Sequence, residues 1–239
     1  MNESMNDLHT HILPGLDDGA DTVETSLAML REEYAQGVGT VALTPHFYRD
    51  REHLSDFLRR REEGFHKLLA AIAALSEEEQ AAIPRLILGA EVAWVPNLAQ
   101  LPELEQLCYQ DTKYLLLELP FGAWDDMLFR QIYDLMNCRG ITPVIAHIDR
   151  YWGTQKKERF ETLFSLGVPV QLSAEPLLHF TTRGRALRLI RTGKVQMLIS
   201  DAHNLTDRQP NLGKADTILR KKLGMERSDL FDFSLSELS

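Results

Sequence analysis

With 239 residues, 44% of them hydrophobic, the chain can form one large α/β domain over residues 1–239 and bury a substantial core, which excludes a disordered protein. A formal net charge of −9 excludes a general nucleic-acid binder, whose affinity comes largely from Lys and Arg on phosphates. Two cysteines, Cys108 and Cys138, lie outside any thiolate-zinc pattern, and neither a leader peptide nor an apolar run of the roughly 20 residues that span a bilayer is present, so a cytoplasmic protein with no membrane span is expected.

The chain opens on Asp7-Leu8-His9-Thr10-His11, read as a strand. Residues two apart on a strand share a face, so His9 and His11 project together, while Leu8 and Ile12 anchor the strand in the core. A turn-forming loop follows, carrying Asp17 and Asp18 and closed by Gly19. Residues 22–36 read as a helix, with Leu27, Leu30 and Tyr34 at helical spacing, Thr22 as cap and Gly37 as terminator. Residues 39–43 form a short strand that ends at Thr44-Pro45-His46. A charged stretch then runs into a helix through Phe65, Leu68, Leu69 and Ile72, and Glu77-Glu78-Glu79 is a solvated helix face or turn. Residues 86–91 are a strand ending in Glu91, 98–108 a short helix, and 113–118 an apolar strand ending in Glu118.

An amphipathic helix over 124–138 offers Met127, Leu128, Ile132, Leu135 and Met136 to the core. Residues 141–147 are a buried-type strand ending in His147, 160–166 a helix and 168–172 a strand. A basic helix at 183–192 leads to the strand 195–199, which runs into Ser200-Asp201-Ala202-His203. A last helix spans 212–223, and the tail from Met225 to Ser239 is acidic.

This β-then-α alternation recurs about seven times, and its strands are apolar on both faces, which implies a parallel sheet covered by helices and most economically closed into a barrel. In such barrels the carboxyl ends of the strands carry the active site. His9, His11, His46, Glu91, Glu118, His147, Asp201 and His203 all fall at those ends, whereas His53, His66 and His179 do not. A site of imidazoles and carboxylates without cysteine suits Mn, Fe or Zn. Nine candidate ligands, counting one loop acid, are too many for one ion, so two or three ions are expected, with Glu91 and Asp201 in shared positions. Closely spaced ions activate water near neutral pH and clamp phosphoryl oxygens. Arg150 and Arg208, in loops leaving the same strand ends, are candidates to hold that phosphate.

The blocks D-L-H-T-H followed by D-D-G, then T-P-H, G-A-E, L-E-L, I-T-P-V-I-A-H-I-D-R-Y and S-D-A-H-N resemble the polymerase and histidinol phosphatase superfamily. More closely, they are similar to its bacterial capsular-polysaccharide tyrosine-phosphatase branch, called CpsB, CapC or YwqE. The resemblance implies a distorted (β/α)7 barrel with a trinuclear, usually manganese-dependent centre. It groups His9, His11, Glu91 and Asp201 around one metal, with Glu91 and His147 reaching a second. His46, Glu118, His203 and one acid of the Asp17–Asp18 pair, Asp18 being favoured, complete the cluster. It matches Arg150 and Arg208 to phosphate-holding arginines and places His147 and Asp201 in the catalytic set.

The implied reaction is hydrolysis of phosphotyrosine on a tyrosine autokinase of capsule or exopolysaccharide synthesis, and the branch allows a homo-oligomer. Neither Cys108 nor Cys138 has the context of a thiolate phosphatase, and a phenol leaving group of pKa about 10 departs without much acid help, so metal-assisted hydrolysis is self-consistent. The competing readings are a small-molecule phosphatase of the histidinol-phosphate type, a phosphodiesterase, and a metal-stabilised scaffold without activity.

Overall fold

A computed structural model describes residues 4–225; the acidic segment 226–239 lies outside the described residues. The chain alternates strand and helix. In order it runs β1 (Met5–Thr10), α1 (Val23–Ala35), β2 (Val38–Leu43), β3 (His46–Phe47), α2 (Leu54–Ala73), α3 (Glu77–Gln80), β4 (Arg85–Leu88), β5 (Glu91–Ala93), β6 (Tyr114–Glu118) and α4 (Asp126–Arg139). It continues with β7 (Thr142–Ile145), α5 (Lys157–Ser165), β8 (Gln171–Ser173), α6 (Glu175–Leu178), α7 (Phe180–Arg191), β9 (Met197–Ile199) and α8 (Leu212–Leu223).

All pairings are parallel, in three sheets ordered β1-β2-β4, β3-β5-β6-β7 and β8-β9. Among the described residues no continuous ladder joins the three sheets. Single parallel bridges connect Thr10 to Ala202 and Ile145 to Val170. Strands buried on both faces are expected where helices cover a parallel sheet, and β6 and β7 are apolar accordingly.

The strand expected at 39–43 is β2, ended by Thr44-Pro45 because proline donates no ladder bond, and β3 starts anew at His46; the strand expected at 86–91 is broken in two by Gly89-Ala90. A Cβ on Gly89 would lie 3.1 Å from both Thr44 and Tyr109, so the kink needs a residue without one. Buried Arg61 pins it by donating to Gly89 O and Gln106 O, each at 3.1 Å. Both strands thereby step into the next sheet together, and the register pairs His46 with Glu91.

The helix expected at 98–108 is instead two 3-10 turns, Leu98–Gln100 and Leu104–Leu107, because Pro102 pushes Leu101 into extended backbone between them. The basic helix begins earlier than expected, at Phe180, behind the short α6. Met127 is 50% exposed on α4 and is not a core residue; Leu128, Phe129, Ile132 and Leu135 form the inward stripe, and Met127 falls one position off it. Tyr34 likewise faces outward from α1. No helix among the described residues is long and apolar enough to cross a membrane.

Beneath the strand ends lie two fully buried carboxyls, Asp7 on β1 and Glu33 on α1. Asp7 accepts from the backbone N–H groups of His9 at 3.3 Å and Ser200 at 3.2 Å, and the Ser200 hydroxyl lies 3.4 Å from Glu33. Burial raises the pKa of both, and the neighbouring Asp7 charge pushes Glu33 well above its ordinary 4.5. Each therefore binds its proton more tightly folded than unfolded. Folding gains from this below the unfolded pKa, and the gain is lost as pH rises through the folded value. Glu33→Gln retains an N–H donor toward Asp7 and removes Glu33's part of that loss. In urea melts the variant should gain stability relative to the parent as pH rises from about 5 to about 9. A pH-independent difference would show that Glu33 does not hold the proton.

Candidate functional site

The loop after β1 turns back tightly enough that a Cβ on Gly19 would sit 2.0 Å from His11 O, so only glycine closes it. That closure delivers Asp17 beneath His11. Asp17 accepts from His11 Nδ1 at 2.7 Å, from Gly19 N at 3.0 Å and from His46 N at 3.0 Å. With Nδ1 committed to Asp17, His11 Nε2 points inward. His9 is held the same way, its Nδ1 lying 3.0 Å from Gln171 Oε1. His203 Nδ1 lies 2.9 Å from the carbonyl of Asp201. Three imidazoles are thus oriented from outside: Nε2 of His9 and His11 faces the centre of the cluster, and Nε2 of His203 faces Asp18.

Glu91 occupies that centre. Its Oε2 lies 3.2 Å from His9 Nε2, 3.3 Å from His11 Nε2 and 2.8 Å from His46 Nδ1, and its Oε1 lies 2.8 Å from His147 Nε2. Asp201 Oδ1 stands 3.6 Å from the Nε2 atoms of His9 and His11 and from His203 Nδ1. Asp18, 63% exposed, faces His46 Nε2 at 3.5 Å and His203 Nε2 at 3.4 Å. Glu118 Oε1 lies 3.5 Å from His147 Nε2. All nine side chains singled out as ligand types therefore converge, from six strand ends and one loop, and His53, His66 and His179 stay outside the cluster. Arg150 and Arg208 both reach Asp201 Oδ2, Arg208 at 3.0 Å, beside a cleft of about 310 Å³ that Ser173 and Lys214 also line.

The charges follow from the packing. Burial alone would raise Glu91, but His9 and the hydrogen bonds of His11, His147 and His46 hold its carboxyl well below the usual range. Burial would also raise Asp201, yet His9 and Arg150 bring it to about 2. Burial would lower His11, but Asp17 outweighs this and raises it to about 10, while burial and the His11 charge push His203 down to about 3. The centre is anionic at its core, with imidazoles crowded around it.

That crowding leaves buried polar atoms unsatisfied. His9 and His11 face each other Nε2 to Nε2 at 3.3 Å, and the rings of His11 and His203 stand 3.8 Å apart. Asp201 Oδ1 and His203 Nε2 are buried without a hydrogen-bond partner, and Glu91 Oε2 alone faces three imidazole nitrogens at 2.8–3.3 Å. Buried donors and acceptors are ordinarily paired, so lone pairs converging in this number suit cations. Three groups could each hold one: His11, Asp18, His46 and His203; His9, His11 and Asp201; and His46, Glu91 and Glu118. Two of the residues stand in left-handed backbone, His147 at φ 24° and Asp201 at φ 55°, conformations that cost non-glycine residues about 1–3 kcal/mol each.

A family profile described as "Capsular polysaccharide synthesis, CpsB/CapC" matches residues 5–233. The chain belongs to the CpsB/CapC family. Its relatives include the tyrosine-protein phosphatase CpsB of Streptococcus pneumoniae, 31% identical over 237 residues covering 94% of this chain and 93% of the relative. The tyrosine-protein phosphatase YwqE of Bacillus subtilis strain 168 is 30% identical, covering 93% of this chain and 86% of the relative. A crystal structure from work on YwqE and CpsB, described as unique metal-dependent tyrosine phosphatases, superposes with a TM-score of 0.78 at 25% identity, covering 98% of this chain and 94% of that one.

In this CpsB/CapC chain, the strand pattern announces the ligand-type residues but not those that orient them. Gln171 is the exception that could have been found, as the one polar residue of the apolar stretch 168–172. Asp17 and Asp18 are indistinguishable as adjacent loop acids; only the turn at Gly19 separates the one that is fully hydrogen-bonded from the one left open. Tyr48, whose ring lies 5.2 Å from that of His46 at the mouth of the site, carried no sequence signal.

Proposed function

We propose that this chain is a metal-dependent protein-tyrosine phosphatase acting on phosphotyrosine of a bacterial tyrosine autokinase in capsule or exopolysaccharide synthesis, in the cytoplasm. The observation that carries this reading is the convergence of nine ligand-type side chains and two arginines around Asp201 and Glu91, with no thiol among them. The family and its tyrosine-phosphatase members support the substrate class. We read the seven strand positions, counting β2 with β3 and β4 with β5 as one each, as a distorted (β/α)7 barrel. The Thr10–Ala202 and Ile145–Val170 bridges, and the bonds His11 N to Ala202 O at 2.9 Å and Asp201 N to His9 O at 3.1 Å, support it.

His9, His11, Asp18, His46, Glu91, Glu118, His147, Asp201 and His203 would hold two or three divalent ions, manganese being favoured and iron or zinc also suiting the donors. Such ions supply a hydroxide near neutral pH and offset charge on the phosphoryl oxygens. The remaining chemistry belongs to the side chains. Arg150 and Arg208 take two phosphoryl oxygens, pre-aligned by Asp201. Asp201 would hold an ion while orienting both guanidiniums, and His147 would hold one beside Glu91 and Glu118. Asp17 and Gln171 fix the tautomers of His11 and His9. A tyrosine phenolate leaves with little acid help.

Hydrolysis of a phosphotyrosine peptide, histidinol phosphate and a phosphodiester should be compared with added manganese, with a chelator, and with His147→Ala. Selective, chelator-sensitive release from the peptide that the variant lacks is expected. Preference for either other substrate overturns the substrate assignment, and turnover that survives chelation overturns the metal chemistry. Asp17→Asn, which removes the anion behind His11, should weaken manganese binding about 10- to 100-fold in a calorimetric titration. Unchanged affinity would leave Asp17 a mere loop closure.

A further inference from the structure

None of the site residues lines a second groove, of about 670 Å³, between α5 and α7. Trp152 and Phe160 form its floor. Lys157, Arg185, Arg188 and Lys194 stand around it against a single acid, Glu161. The Arg185 guanidinium lies 4.5 Å from the centroid of Trp152 and 5.6 Å from that of Phe160, and the Lys194 ammonium lies 5.2 Å from that of Phe164. Among the described residues, none of these four cations is paired with a carboxylate. The indole N–H of Trp152 is buried and has no acceptor. Burial and then the charge of Arg188 weigh against the charged form of Arg185, so the stack is short of an anion.

In a chain of net charge −9 this is an unpaired cationic surface on an aromatic floor. Arg185 and Arg188 share one face of α7, three residues apart, while Lys157 stands at the start of α5 and Lys194 beyond the end of α7. Cations spread along the groove suit a chain bearing several carboxylates better than one compact anion. Stacked over Trp152 and Phe160, the Arg185 guanidinium is held in place to meet one of those carboxylates.

We propose that this groove docks an acidic peptide segment of a protein partner, its carboxylates meeting Arg185, Arg188 and Lys194. The assignment stands apart from the phosphatase reading, because docking is measured without catalysis.

The test uses the full chain and a short fluorescein-labelled peptide of glutamate, aspartate and phenylalanine, followed by anisotropy and by the emission of Trp152, assigned with Trp152→Phe. Saturable binding that weakens as salt rises is expected, and a glutamine–phenylalanine peptide should not bind. Arg185→Glu with Arg188→Glu should weaken binding by about tenfold or more, phosphotyrosine hydrolysis remaining as in the parent. If thermal melts show that the double variant does not fold, Arg188→Glu and Lys194→Glu singly carry the same expectation. Absent or variant-insensitive binding overturns the proposal. So does displacement of the peptide by inorganic phosphate alone, which would make this a small-anion site. Self-association of the parent that the variants lose would give the groove to a second copy and overturn it equally.

Discussion

Glu91→Ala should lower kcat for a phosphotyrosine peptide by about 10³-fold, because several kcal/mol of stabilisation at the reacting phosphoryl depends on the centre this carboxylate holds together. Among the described residues, Glu91 is the carboxylate that meets four imidazoles, from three strand ends, at 2.8–3.3 Å. Without it, the carboxylates left on the inner side of His9, His11, His46 and His147 are Asp201, Asp18 and Glu118, at 3.5–3.6 Å. Glu91→Gln keeps the shape and loses the charge, so it should fall nearly as far. Steady-state kinetics, metal content by mass spectrometry and circular dichroism together read the result. A Glu91→Ala chain that keeps its ions and more than a tenth of its turnover would remove Glu91 from the centre.

The two arginines come next in size. A charge-assisted hydrogen bond contributes about 1.5–3 kcal/mol, so Arg150→Ala and Arg208→Ala should each lower kcat/KM by about 10- to 100-fold. Both donate to the same oxygen of Asp201, so the double variant should lose less than the product of the single losses. Arg208→Lys should not restore the parent, since an ammonium cannot present two parallel donors to a phosphoryl group. Kinetics on a small aryl phosphate decide it: strictly multiplicative losses, or full activity of Arg208→Lys, would mean that the two guanidiniums do not share one phosphoryl group.

The candidate centre was unusually legible because its ligand types sit where parallel strands end. His46, Glu91, Glu118 and His147 each follow an apolar run, and the run itself locates the residue in space. The parts that resisted reading depend on contacts between distant segments. The steps at Thr44-Pro45 and Gly89-Ala90 are a joint event, set by Tyr109 and Arg61, which no local pattern links to either strand. Pro102 was visible, yet the apolar spacing on both sides of it still imitates one helix. Met127 differs from its core neighbours only by a rotation around α4. Asp17 and Asp18 could be told apart only by the close approach of Gly19 to His11. Asp7 and Glu33 are a buried pair because α1, packed on β2 and α2, brings Glu33 to Asp7, and their ordinary-looking positions say nothing of it.

His147 and Asp201 carry a cost that has a bearing on how such chains can change over time. Both are held in left-handed backbone, which glycine would relax, but a glycine at either place would delete the side chain that faces Glu91 or the arginines. The usual exchange of a strained residue for a permissive one is therefore closed at these two peptides. Lineages adapting to heat would have to find their gains elsewhere, in helix caps and surface charges of the outer layer, while these two turns keep their strained geometry.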